Sequence, residues 1–255
     1  MDTQLESNFQ NIIINTDSDV QDDRLLIKKD NNLTIHYAPF EYINTQAKLV
    51  IVGITPGTHQ ANVSLNAYRK AIKDGKSKDD ALKAAKETAS FSGPMRKNLI
   101  DTLNYIGVHK YLGINDCSDL FGDRRDLVHY TSALRNPVFK DRKNYSGSPK
   151  ILKTDLLREH LESCFYKECQ TLNKALYLPL GGEVESVLKH AVDLGYVSEN
   201  QVLLGMPHPS GANAERIAYF LGRKSKEALS TKTNAESIDK NKQSLIDKIA
   251  LLNRT

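Results

Sequence analysis

Two short segments of the sequence carry groups that could perform chemistry on a bound ligand. The first is Gly53-Ile54-Thr55-Pro56-Gly57, and the second is His208-Pro209-Ser210. The hydroxyl and the glycine backbone of the first segment can position a water molecule. The imidazole of the second can donate a hydrogen bond to a carbonyl oxygen on which negative charge accumulates. Together these groups suit the cleavage of a bond whose leaving group departs as an anion.

Both segments lie at the ends of short apolar runs that predict buried parallel strands. Four such runs occur, at Lys48 to Thr55, Asp126 to Leu134, Lys174 to Gly181 and Gln201 to His208. The helix-compatible stretches are Val63 to Lys73, Lys78 to Ala89, Pro94 to Ile106, Asp155 to Cys169, Glu183 to Leu194 and Asn213 to Gly222. This alternation predicts an α/β fold, a three-layer α/β/α arrangement with a central four-stranded parallel sheet. Ligands bind beyond the carboxyl ends of the strands in such a sheet.

The order and spacing of the two segments resemble the motifs of the uracil-DNA glycosylase superfamily. In that superfamily the first motif has the form G-x-(Asp or Asn)-P and holds the attacking water, and the second is commonly H-P-S, whose His hydrogen-bonds the flipped base. Here the two lie about 150 residues apart, and the resemblance covers residues 47 to 222. It implies a uracil-DNA glycosylase-like fold and a monofunctional DNA glycosylase. Such an enzyme hydrolyses the glycosidic bond of a flipped pyrimidine nucleotide without metal or cofactor and leaves an abasic site.

The resemblance also implies a role for each matching residue. His208 would stabilise the leaving base, and Thr55 with the backbone that begins at Gly53 would hold the water. Phe91, in the stretch FSGPMRKNL, would stack on the base, although it also fits a core residue. The remaining base-binding positions are Ile54, Thr131 and Ser132. The positions assigned to the DNA backbone are Arg135, Lys140, Arg142, Lys143, Ser210, Gly211 and Asn213.

Three departures from the superfamily pattern bear on activity and substrate. Thr55 stands where the superfamily has Asp or Asn, and a hydroxyl cannot act as a general base at neutral pH, which leaves His59 or water positioning alone. Thr131 or Ser132 replaces the Asn that reads uracil, so a modified pyrimidine is as credible a substrate as uracil. The residues at the wedge position, 211 to 213, are small.

These departures keep other functions open. The enzyme would act in base-excision repair or in defence against phage with modified DNA bases. The main alternative is a catalytically inactive protein of glycosylase fold that binds nucleic acid or a nucleotide. A nucleoside or nucleotide hydrolase is a third hypothesis.

The charge distribution places an acidic segment ahead of a basic body. Residues 1 to 40 carry a net charge of −4, residues 41 to 221 carry +4 and residues 222 to 255 carry +4. The densest cations lie between Arg135 and Lys153, where Asp141 is the single acidic residue and Gly147 and Pro149 predict a loop. This segment is either a solvated surface loop or a contact to DNA phosphates.

Three parts of the chain differ in composition from the predicted core. Residues 1 to 46 form an N-terminal segment rich in Asn, Asp and Gln, which we expect to be partly mobile. Residues 57 to 91 form a helical insertion within the 47 to 222 domain. Residues 223 to 255 form a linker and a C-terminal amphipathic helix, with Ile238, Leu245, Ile249 and Leu252 on one stripe.

Composition excludes several other classes of protein. No apolar run of the 255-residue chain approaches the roughly 20 residues needed to span a bilayer, and the start, MDTQLESNFQ, is acidic and polar, which predicts a cytoplasmic protein. Cys117, Cys164 and Cys169 lack paired spacing, which predicts buried, reduced thiols and no metal site. We expect no cofactor and a monomer whose partner is DNA.

Overall fold

The structure, a computed structural model, describes residues 3–15, 17, 19–89 and 93–253, which form an α/β fold. Over these residues the helices are α1 (Thr3–Asn15), α2 (Thr58–Lys73), α3 (Lys78–Ala89), α4 (Gly93–Tyr105), α5 (Val108–Leu112), α6 (Asp155–Leu161), α7 (Lys167–Thr171), α8 (Gly182–Asp193), α9 (Ala214–Phe220) and α10 (Ala235–Leu252). The strands are β1 (Leu26–Asp30), β2 (Leu33–His36), β3 (Leu49–Gly53), β4 (Val128–Ser132), β5 (Val138–Lys140), β6 (Lys143–Asn144) and β7 (Leu176–Pro179). A π-helical turn, Glu162–Tyr166, connects α6 to α7.

The chain divides into two compact units, each built from three chain segments. Unit 1 comprises Met1–Ile43, Gly53–Ser90 and Tyr130–Thr171. Unit 2 comprises Asn44–Val52, Phe91–His129 and Leu172–Thr255. These units cross the predicted boundaries at residues 46 and 222, because long-range packing and not chain continuity defines them.

Three of the four predicted parallel strands are present. They form a sheet with the order β4-β3-β7. In unit 2, β3 and β7 pair in parallel with Leu49 opposite Leu176 and Val52 opposite Pro179. Every residue of β7 and the first four of β3 are buried, as expected for apolar strands of a covered parallel sheet.

The fourth predicted strand, Gln201–His208, is reduced to a single parallel bridge between Val202 and Tyr177. Two residues explain why the pairing stops. Gly205 has a φ of +91° and donates its amide to the Glu185 carboxylate instead of a neighbouring strand. Pro207 has no amide proton to offer. The predicted four-stranded parallel sheet is therefore three strands and one bridge.

Unit 1 contains a second sheet that the sequence patterns do not predict. Its order is β1-β2-β5-β6, with each neighbouring pair antiparallel. β5 and β6 lie inside the predicted loop from Arg135 to Lys153, and they are only three and two residues long. β1 lacks a buried face, since its last three residues are exposed. Neither feature gives a period-two pattern that can be recognised in the sequence.

The described part of the N-terminal segment is folded into unit 1. Ile13, Val20 and Leu25 are buried in the same core as Tyr37. The expectation of a partly mobile segment, based on polar composition, stays a prediction. Residues 1, 2, 16 and 18 lie outside the described part of the chain.

The predicted helical insertion contains α2 and α3, and the predicted C-terminal helix corresponds to α10. Within unit 1, α2 and α3 bury Leu65, Tyr68 and Leu82 in the core, so the insertion is part of that core. In unit 2, α10 buries Leu245 and Ile249 as the apolar stripe predicts.

The three cysteines, Cys117, Cys164 and Cys169, are buried, as predicted. Among the described helices, none is long and apolar enough to cross a membrane.

Candidate functional site

In unit 1, the chain after β3 lies beside the chain after β4. The Ala133 amide donates to the Gly53 carbonyl at 2.9 Å, and the Leu134 amide donates to the Ile54 carbonyl at 3.0 Å. A Cβ atom added at Gly53 would lie 3.5 Å from Ser132 Oγ. The structure thus brings together the predicted water-holding backbone and the predicted base-reading positions.

Thr131 is the most unusual of these base-reading positions. Its side-chain oxygen is buried and has no hydrogen-bond partner among the described residues. An unsatisfied buried hydroxyl costs about 1–3 kcal/mol. A ligand that bonded to this hydroxyl would remove that cost.

The hydroxyl of Thr55 is engaged with the backbone at the start of β5. It donates to the Asn136 carbonyl at 3.1 Å and accepts from the Val138 amide at 3.1 Å. One lone pair remains for a water molecule. Thr55 can therefore hold a water that donates to it, but it cannot accept the proton of that water as a base.

The hairpin formed by β5 and β6 is attached to the chain that begins α2. Asn144 Oδ1 accepts hydrogen bonds from the Thr58 amide at 3.0 Å and from the Thr58 hydroxyl at 2.8 Å. The hairpin carries the exposed Arg142 in its turn and the exposed Lys143 in β6, while Lys140 is half-buried. It therefore presents two predicted DNA-binding cations next to the Gly53–Gly57 segment of unit 1.

Arg135 does not take the predicted role. Only 7% of its surface is exposed, and its Nη2 atom lies 3.2 Å from Glu168 Oε2 and 3.3 Å from the Cys164 carbonyl oxygen. A guanidinium that is buried and paired with a carboxylate cannot reach a phosphate of DNA. The prediction of a backbone contact by Arg135 is wrong.

In unit 2, hydrogen bonding determines the protonation of His208. The Ser210 amide donates to His208 Nδ1 at 3.2 Å, so Nδ1 is the unprotonated nitrogen and Nε2 carries the proton. Burial lowers the pKa of His208 from its ordinary value of 6.5, which keeps the ring neutral at pH 7. His208 is therefore a neutral hydrogen-bond donor.

Two neighbours of His208 were not predicted individually. Asn98 on α4 donates its side-chain amide to the Pro209 carbonyl at 2.9 Å and so holds the segment that carries the imidazole. A Cβ atom at Gly181 would lie 3.5 Å from His208 Cδ2, and Gly181 has a φ of +97°, which disfavours other residues. The sequence features that could have pointed to these two neighbours are the Asn in FSGPMRKNL and the Gly-Gly pair after β7.

The predicted DNA-contacting residues after His208 form a tight turn. The backbone amide of Asn213 donates a hydrogen bond to the Ser210 carbonyl at 2.9 Å. The side-chain amide of Asn213 donates a hydrogen bond to the Ser210 hydroxyl at 3.2 Å. Gly211 is exposed, and a Cβ atom there would meet nothing within 4 Å. Phe91, the predicted stacking residue, lies outside the described residues.

The fold and these loops define an α/β protein with small and polar residues after its parallel strands. The chain is 36% identical over 217 residues to the uncharacterized protein YoxB of Bacillus subtilis (strain 168), and the match covers 84% of each chain. It belongs to the same family as that protein. No protein-family model and no solved structure matches it.

Proposed function

We propose that the chain is a monofunctional DNA glycosylase with a uracil-DNA glycosylase-like α/β/α arrangement. It would flip a uracil or a modified pyrimidine out of DNA, hydrolyse the glycosidic bond and leave an abasic site. The observation that carries the proposal is the neutral His208 with its proton on Nε2.

The reaction needs a donor that acts on the departing base. The water oxygen bonds to C1′, the bond from C1′ to the base nitrogen breaks with its electron pair going to the base, and the water proton passes to solvent. Negative charge grows on the base carbonyl as this bond lengthens, and a donor aimed at it stabilises the transition state. A neutral imidazole suits this task, because it donates without first having to acquire a proton.

The loop after β3 supports the other half of the reaction. Thr55 offers one lone pair to a water molecule, and a cation-like sugar needs only a weak nucleophile that is held in place. The orphan hydroxyl of Thr131 gives a base a polar group to bond, but it cannot present the paired donor and acceptor of the Asn that reads uracil. We therefore favour a modified pyrimidine as well as uracil among the substrates.

Arg142, Lys143, Ser210, Gly211 and Asn213 would hold the DNA backbone, with Lys140 contributing from its half-buried position. Exposed cations and open turns suit contacts to phosphates, which position DNA without reading its sequence.

The experiment is a strand-scission assay on DNA substrates of different bases. Purified protein is incubated with oligonucleotides that carry uracil, a thymine mismatch, hydroxymethylcytosine or glycosylated cytosine, and alkali then cleaves any abasic site. We expect scission on at least one of them. Cleavage of uracil would favour a repair role, and cleavage of the modified cytosines alone would favour defence against phage.

The matched variants are His208→Ala and His190→Ala, both in unit 2. Loss of a transition-state donor costs about a hundredfold or more in rate, so His208→Ala should fall by that amount while His190→Ala retains its rate. A His208→Ala rate within about threefold of the parent would remove His208 from the mechanism.

A second candidate is a catalytically inactive binder of nucleic acid or a nucleotide. The Thr55 hydroxyl is engaged by backbone groups and is not a base at neutral pH, and this favours the second candidate. Retained DNA binding with no scission on any substrate would establish this candidate over the enzyme.

A further inference from the structure

The position of the proton on His208 depends on one peptide group of unit 2, the group that joins Pro209 to Ser210. Its N–H, on Ser210, donates to His208 Nδ1 at 3.2 Å, and its carbonyl, on Pro209, accepts from the Asn98 side chain at 2.9 Å. A peptide group whose carbonyl accepts a hydrogen bond is polarised, so its N–H becomes a stronger donor. The orientation of this peptide group therefore decides which ring nitrogen of His208 is protonated.

Ser210 is held in turn by Asn213. The Asn213 backbone amide donates to the Ser210 carbonyl at 2.9 Å, and the Asn213 side-chain amide donates to the Ser210 hydroxyl at 3.2 Å. These bonds join one residue to both the backbone and the side chain of the other. They therefore limit the movement of Ser210, and of the N–H that faces the imidazole, relative to Asn213.

The side chain of Asn213 has two orientations of nearly equal shape. A rotation of its amide by half a turn exchanges the donor with the acceptor. Arg216 Nη1 donates to Asn213 Oδ1 at 3.1 Å. A guanidinium has donors only, so it bonds to the amide oxygen and leaves the NH2 group to face Ser210. Arg216 therefore selects the orientation in which Asn213 can donate to the Ser210 hydroxyl.

Arg216 also differs in its partners from a neighbouring exposed arginine. Arg223 pairs with the Asp101 carboxylate at 2.8 Å. Among the described residues, the hydrogen-bond partners of Arg216 are two neutral oxygens, Oδ1 of Asn213 and the Lys232 carbonyl, which lies 3.5 Å from Nη2. A guanidinium without a carboxylate partner polarises the amide that it contacts, which strengthens the next hydrogen bond in the series.

We propose that Asn213 is a positioning residue for His208 and that Arg216 orients it. The series of hydrogen bonds runs from the exposed guanidinium through the Asn213 side chain and Ser210 to Nδ1 of the imidazole. It keeps the proton on Nε2, the nitrogen that would donate to the departing base. The consequence for catalysis rests on the proposed function, whereas the effect on the position of the proton does not.

The test is ¹⁵N NMR spectroscopy of the full chain labelled at histidine, at pH 8, where the ring of His208 is neutral. Protonated and unprotonated ring nitrogens have very different chemical shifts, so the spectrum reports the position of the proton. His208→Ala assigns the signals. In the parent protein we expect Nε2 to be the protonated nitrogen. In Asn213→Ala we expect the two shifts to move towards each other, because the ring then exchanges between its two neutral forms.

Asn213→Asp separates positioning from a general loss of structure. One carboxylate oxygen accepts from Arg216 and the other accepts from the Ser210 hydroxyl, so the connection persists with one bond reversed in direction. This variant should keep the proton on Nε2. An Asn213→Ala protein with the parent shifts, or an Asn213→Asp protein altered as much as Asn213→Ala, would overturn the proposal.

Arg216→Ala and Arg223→Ala remove the same charge from two exposed positions of unit 2. Arg216→Ala should move the His208 shifts in the same direction as Asn213→Ala, and Arg223→Ala should leave them unchanged. Equal changes in the two arginine variants would contradict the role of Arg216. This pair also tests the proposal if Asn213→Ala does not fold.

Single-turnover strand scission measures the consequence for catalysis. The rate of Asn213→Ala should fall by about two- to tenfold, which corresponds to one hydrogen bond, and Asn213→Asp should recover most of it. Parent shifts and a parent rate in Asn213→Ala, beside an active parent protein, would overturn the positioning role alone. A parent protein that cleaves none of the substrates would instead contradict the proposed function, and the NMR result would still decide the position of the proton.

Discussion

The Thr55 hydroxyl and the His208 imidazole show how hydrogen bonds restrict the chemistry of a side chain. The Thr55 hydroxyl donates a hydrogen bond to a backbone carbonyl. It can therefore accept a hydrogen bond from a water molecule but cannot donate one to it. His208 accepts from the Ser210 amide at Nδ1, so its proton lies on Nε2. The residue types permit several roles, and the partners select one. Sequence reasoning can place these residues in loops but cannot supply the partners.

The pH dependence of the proposed reaction follows from His208. The neutral ring is the active form, and burial lowers its pKa below the ordinary 6.5. The rate of a single turnover should therefore stay constant from pH 8 down to about pH 6.5 and fall only at lower pH, where the imidazole becomes protonated. Single-turnover scission rates between pH 5 and pH 8 measure this profile.

His59→Ala provides the control for this profile. His59 is exposed on α2 and is the other histidine that the sequence offers for proton transfer. We expect the rate of this variant to fall at low pH in the same way as that of the parent protein. If the fall in rate at low pH disappears in His59→Ala, that fall arises from His59 and not from His208.

At the scale of elements, local patterns predicted the helices and the three parallel strands, because periodic burial is recorded in neighbouring residues. The predicted stretch Lys78 to Ala89 has the same bounds as α3. The failure at Gln201–His208 has a specific cause, since Gly205 there approaches α10. A Cβ atom at Gly205 would lie 2.6 Å from Asn241 Cγ. This contact joins residues distant in the chain, so no local pattern contains it.

Gly205→Ala should therefore be unusually destabilising. Its matched control is Gly195→Ala, because Gly195 has a φ of +77° but no atom within 4 Å of the added Cβ. The control should lose about 1–2 kcal/mol in the free energy of unfolding from backbone strain alone. Gly205→Ala should lose about 1–3 kcal/mol more, because the methyl group displaces the Asn241 side chain. Urea unfolding measures both values, and equal losses would show that the close approach to Asn241 is relieved without cost.

At the scale of the whole molecule, the net charge of +4 is a small remainder between larger local charges. The sequence contains six cations from Arg135 to Lys153, but in the structure they are not all equally accessible. Arg135 is buried with Glu168, whereas Arg142 and Lys143 are exposed on the β5-β6 hairpin. Charge counted along the chain therefore overstates what is available to a polyanion.

The salt dependence of DNA binding tests this division. Each phosphate contact contributes a slope of about 0.9 to the fall of log K with log salt concentration. Replacing Arg142 and Lys143 by Gln should reduce the slope by nearly two. The control replaces Lys73 and Lys76 by Gln, which are exposed cations in and after α2 and remove the same charge. Fluorescence anisotropy at several salt concentrations gives both slopes, and an equal reduction in the two variants would indicate an effect of net charge alone.

Local sequence patterns predict the α/β class, most helices, three parallel strands and the two loops of the candidate site, because apolar periodicity and turn residues act over short distances. The burial of Arg135, the hydrogen bonds of the Thr55 hydroxyl and the proton on His208 Nε2 follow from contacts that no local pattern contains. Burial of Arg135 depends on residues from separate chain segments that meet in unit 1. Hydrogen bonds at specific atoms then fix protonation and availability, and residue type alone does not contain that information.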